Sequence, residues 1–130
     1  MSGLDFADDT RTFAVTDFDN DGNPDIILKS RLGPQIRAMQ NDSANNRPAI
    51  AIQLQGVKSN RDGIGTVVRI GDQYAERTTT VGYASSADTG LHFGLGNLAI
   101  ADKIAITWPS GRNQTLTSVK ADQVLNVTEP

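Results

Sequence analysis

The sequence predicts an all-β chain: an antiparallel β-sandwich preceded by a β-hairpin whose connecting loop is strongly acidic. Three observations carry that prediction. Short runs rich in β-branched residues recur between clusters of turn formers. Apolar and polar residues alternate with a period of two inside several of those runs. No stretch carries the apolar spacing of a helix beyond a single turn expected near residues 96–101.

The first strand is expected over Thr12–Thr16 and the second over Asp25–Lys29, both β-branched or aromatic in character. Between them, Asp17, Asp19, Asp21 and Asp25 fall at relative positions 1, 3, 5 and 9, with Gly22 at position 6 and Asn23 at position 7. Alternate carboxylates in a curled loop converge on one point, which suits a hard cation that takes 6 to 8 oxygen ligands. Asp17, Asp19, Asp21 and Asp25 are therefore the expected carboxylate ligands, and Asn23 the expected carbonyl ligand, of Ca2+. The first half agrees with an EF-hand loop, but position 12 is Leu28 where an EF-hand carries a bidentate Glu, and the flanks read as strands. A solvated turn is the plain alternative, because Asp is favoured in turns. Four carboxylates within nine residues repel one another unless a cation sits among them. Magnesium, which keeps more of its water and demands stricter geometry, suits the spacing less well.

The stretch FAVTDFDNDGNPDIIL followed by QIRAMQND resembles one FG-GAP or VCBS repeat, a calcium-binding blade unit of β-propellers, over roughly residues 10–42. A propeller needs at least about four blades. The resemblance therefore implies a unit cut from a longer array or put to a different use.

From Pro48 onward the expected strands are Ala49–Gln55, Gly65–Ile70, Gln73–Val81, Leu91–Phe93, Lys103–Trp108, Gln114–Val119 and Val124–Thr128. Ile50, Ile52 and Leu54 alternate with Ala51, Gln53 and Gln55, so one face of that strand is expected in a core and the other in water. Seven such strands suffice for two sheets. The segments Leu54-Gln-Gly, Ser59-Asn-Arg-Asp-Gly-Ile-Gly65, His92-Phe-Gly-Leu-Gly96, Ile106-Thr-Trp-Pro-Ser-Gly111 and Val124-Leu-Asn-Val resemble the ASPIC/UnbV family over nearly the whole of this part. That family follows FG-GAP propellers in cartilage acidic protein-like proteins, the order in which the two resemblances occur here. They imply two domains, residues 1–44 and 45–130, in an exported protein at the cell surface or outside the cell.

Composition limits what such a chain can do. Residues 1–25 hold seven Asp against Arg11 alone, whereas residues 26–130 hold eight acids against eleven bases, so the N-terminal piece is the one built for a cation. The remaining basic residues are scattered singly, which excludes a nucleic-acid groove. No apolar run approaches the roughly 20 residues that span a bilayer, and the first segment lacks the basic and apolar parts of a signal peptide. Membrane insertion is not expected, and whatever exports the parent protein is not in this chain. Without cysteine there is neither a disulfide framework nor thiolate chemistry.

No enzyme is expected. His92 is the single histidine, in an apolar context, and a Ser-His-Asp arrangement would need Ser85, Ser86 or Asp88 beside it. The glycines of FGLG lack the following Lys-Ser/Thr of a phosphate loop. Asn60, Asp62 and Gly63 read first as turn residues, and the alternative is a second polar site formed by Asn60, Arg61, Asp62 and His92. Trp108 or Tyr83 could stack on a sugar, although a lone tryptophan in a chain with few aromatics is more often needed for packing. Asn41-Asp-Ser43 and Asn126-Val-Thr128 fit the N-glycosylation pattern. The expected function is thus a non-catalytic, calcium-binding interaction or structural module with a protein or glycan partner. Exposed strand edges add self-association. A carbohydrate-binding module is the alternative, and a hydrolytic enzyme the least supported reading.

Overall fold

The computed structural model describes residues 4–7, 9–19, 21, 23–42, 47–80 and 90–130, and over them the β-branched runs become strands with no helix. β1 (Thr10–Thr16) and β2 (Asp25–Ser30) form the expected hairpin, antiparallel with Thr16 opposite Asp25. A further strand, β3 (Ile36–Met39), adds to β2 with Met39 opposite Ile26. It was not among the strands expected from alternation. Its apolar Ile36 and Ala38 face outward while Arg37 is half-buried, the reverse of the usual pattern. Arg37 can turn inward because its guanidinium lies 4.2 Å from the centroid of the Phe6 ring, a cation–π contact. These three strands make one compact unit.

The second unit holds seven strands: β4 (Ala49–Gln55), β5 (Val67–Ile70), β6 (Gln73–Glu76), β7 (Leu91–Gly94), β8 (Ile100–Thr107), β9 (Asn113–Lys120) and β10 (Gln123–Thr128). They form a three-stranded sheet in the order β10-β4-β7 and a four-stranded sheet in the order β6-β5-β8-β9. Ile50 and Ile52 of β4, Phe93 of β7 and Val127 of β10 meet Val68, Ile104 and Ile106 of the other sheet in one buried cluster. Each such side chain contributes about 1.5–3 kcal/mol of apolar burial. Gly63 closes one end of this core with φ at 64°, where a Cβ would lie 2.9 Å from that of Leu54. The helical turn expected near residues 96–101 is replaced by a turn that closes from Leu98 N–H to the Leu95 carbonyl, after which β8 begins.

The sheets are antiparallel as expected, with one exception. β10 runs parallel to β4, from Gln123 opposite Ile50 to Thr128 opposite Gln55. Only two residues join β9 to β10, and such a link ordinarily makes an antiparallel hairpin. Here Asp122 adopts a left-handed conformation (φ 57°). Its N–H donates to the Ala49 carbonyl at 2.7 Å and its Oδ1 accepts the Ala49 N–H at 3.2 Å. Both bonds hold the turn against the start of β4, so the chain leaves one sheet and enters the other.

Candidate metal centre

The loop between β1 and β2 is pulled tight because its two ends, Thr16 and Asp25, are paired across the hairpin. Within it, Asp17, Asp19 and Asp21 each offer a carboxylate oxygen within 4.8 Å of the others. Oxygens bound to one calcium at about 2.4 Å can be no more than about 5 Å apart, so the separation fits a single ion. The curl is made by backbone donors: Asp21 N–H reaches Asp17 Oδ1 at 3.1 Å and Asp19 Oδ1 at 3.2 Å. Asn23 then binds Asp21 twice, through its N–H at 2.7 Å and its side-chain amide at 2.8 Å. The Asn23 backbone bond, followed by its side-chain bond, holds the Asp21 carboxyl below its ordinary value, against a smaller opposing effect of desolvation.

Asp25 has a different setting. It is 1% exposed, and its carboxylate accepts Phe18 N–H at 3.0 Å and Asn41 N–H at 2.7 Å. It ties the start of the loop to the segment after β3 and is not one of the three converging carboxylates. The Asn41 side chain also donates to the Pro24 carbonyl at 3.2 Å, and the Gln40 amide donates to Asp19. Neither Gln40 nor Asn41 was expected at this loop; Asn41 drew notice only as part of an N-glycosylation pattern. Gly22, the expected turn glycine, lies outside the described residues, as do Tyr83, Ser85, Ser86 and Asp88.

Of the residues expected to contact a ligand, Trp108, Asn60 and His92 lie among the described residues of the second unit. Trp108 is 1% exposed and its indole N–H donates to Gln114 Oε1 at 3.1 Å, so its ring is core and offers no open face to a sugar. The Asn60 amide is committed to the backbone of Ile64, donating to its carbonyl and accepting its N–H, each at 2.8 Å. His92 is half-buried on β7, opposite Ala51 of β4.

A group the sequence reading missed is Glu129. It is 3% exposed, and one of its oxygens, Oε2, accepts the consecutive N–H groups of Val57, Lys58 and Ser59 at 2.8, 2.8 and 2.7 Å. The other, Oε1, accepts the hydroxyls of Ser59, at 3.0 Å, and of Ser110. Burial pushes this carboxyl up, but the bonds from Ser110, Ser59 and Val57 outweigh it and hold the group down at about 2. No sequence signal marks such a site, because three of its five donors are backbone.

Compared with known protein families, residues 56–130 match the family described as ASPIC and UnbV, more than half of the chain. The chain belongs to the ASPIC and UnbV family. Its matched segment runs from Gly56, the residue before the loop that holds Glu129, to the residue after Glu129, and includes all strands of the second unit except β4. Comparison with curated proteins gives no match.

Proposed function

We propose that the chain is a non-catalytic module of an exported protein, in which the loop after β1 binds Ca2+ and the ion staples β1 to β2. The observation that carries this reading is the convergence of one oxygen from each of Asp17, Asp19 and Asp21 within 4.8 Å. Asn23 adds its backbone carbonyl in this reading, and Asp25 serves as the buried anchor of the loop. In this reading residues 10–42 are one FG-GAP or VCBS-type unit and the ASPIC and UnbV segment is its β-sandwich companion. The module works as an interaction or structural element outside the cell or at its surface. Its partner is a protein, including further copies of the chain that pair along sheet edges.

A ligand that binds only the folded state stabilises it by about 2.7 kcal/mol at a hundredfold excess over Kd. Calcium added to chelator-treated protein should therefore raise the melting midpoint, magnesium should do so less, and Asp19→Asn should remove most of the response. A midpoint that stays the same in calcium and in chelator would reduce the loop to a solvated turn.

A further inference from the structure

We infer that the Gly56–Asn60 loop together with Ser110 is a carboxylate-binding site in its own right, occupied in cis by Glu129. Three successive backbone N–H groups pointing at one oxygen form a concave nest for an anion. Here the nest takes Oε2 while two hydroxyls take Oε1, so the site reads the two-oxygen shape of a carboxylate and not just a point charge. Five donors fill the roughly four lone-pair positions of that group. Among the described residues no Lys or Arg side chain pairs with Glu129, and neutral dipoles alone hold the charge.

Bonds that do not involve Glu129 also shape the receptor. Gly56 N–H donates to the Arg61 carbonyl at 3.0 Å, and a Cβ on Gly56 would stand 2.0 Å from the Asn60 carbonyl oxygen, so the loop is a closed backbone ring. Asn60 clamps the following turn through Ile64. Ser59 Oγ, besides donating to the carboxylate, accepts Ser110 N–H at 3.1 Å, which joins the nest to the turn after β8. The ligand arrives on the end of β10, a strand paired on one side only, and Glu129 N–H continues the ladder to Gln55 at 2.8 Å. The site therefore decides whether β10 stays docked on β4. A carboxylate carried on the same chain outcompetes the same group in free solution, which keeps the nest closed.

The experiment is chemical rescue of the full chain. In Glu129→Ala the missing part of the side chain corresponds to acetate. Acetate should raise the melting midpoint of this variant by about 4 °C or more, with a saturable dependence on concentration. Sodium chloride at equal ionic strength and acetamide should not, and wild-type protein should respond no more to acetate than to chloride. Equal effects of acetate and chloride on the variant would overturn the inference. Should Glu129→Ala yield no folded protein, Glu129→Gln decides the matter by amide NMR. Loss of the charge must shift the amide protons of Val57, Lys58 and Ser59 upfield together and speed their exchange; wild-type shifts at all three would refute a carboxylate-organised nest.

Discussion

Thr66 is 0% exposed and its hydroxyl has no hydrogen-bond partner among the described residues, although its backbone N–H and carbonyl are bonded to Gly63 and Arg77. An orphaned buried hydroxyl costs about 1–3 kcal/mol. Thr66→Val keeps the branched shape and both backbone bonds, so it should stabilise the second unit by about 1 kcal/mol, read as a higher midpoint in urea unfolding. Gly56 shows the opposite case. Alanine there would drive a Cβ into the Asn60 carbonyl and force the nest open, at a cost of about 3 kcal/mol by the same assay. Trp108 is the single tryptophan of the chain. Its emission should be that of a buried indole and should not change on titration with glycans, since the ring lies inside the core.

At the scale of elements, β10 is the strand with the least ordinary support. Asp122 bonds it to the start of β4 and Glu129 to the loop beyond the end of β4, so a carboxylate stands at each end. The Glu129 carboxyl is held at about 2 against an ordinary 4.5. Because the folded value is the lower one, its stabilisation is complete above about pH 4.5 and fades as the pH falls toward 2. Glu129→Gln should flatten that part of the stability curve, which acid titration followed by circular dichroism checks. Alternation in the sequence identified β4 and β8 because their inward residues touch a core on one face only. It could not find β3, whose inward residue is an arginine resting on a phenyl ring, and it could not see the parallel pairing of β10. That pairing joins residues 73 positions apart, Gln123 and Ile50, and depends on the backbone conformation of a single aspartate. In the acidic loop the spacing pointed to the convergence of the Asp17, Asp19 and Asp21 carboxylates. The separate role of Asp25 was hidden, since only burial distinguishes an anchor from a ligand.

For the whole molecule, the acidic loop and the β-sandwich fall in different compact units. The acidic surplus lies in the piece that carries β1 and β2, and the net basic remainder includes the β-sandwich. Calcium should therefore act locally. Hydrogen exchange in calcium against chelator should show changed protection concentrated in β1–β3, with the amides of β4–β10 little affected. Uniform protection changes along the chain would argue against an ion held by the hairpin loop. Light scattering on the same samples reports whether the chain self-associates and whether the ion alters that association.

The parallel pairing of β4 with β10 also has a consequence for biosynthesis. β4 is the first strand of its unit to be made and β10 the last, and the two must meet across every residue between them. Loop closure over such a separation is entropically slow, as it is for folds dominated by distant contacts. While synthesis continues, β4 has β7 on one side and nothing on the other, so its free edge can pair with a neighbouring chain. The arrival of β10, locked by Glu129, ends that exposure. Completion of the sandwich is in this sense timed by its final strand, and slow translation over residues 113–128 would lengthen the interval in which nascent chains aggregate.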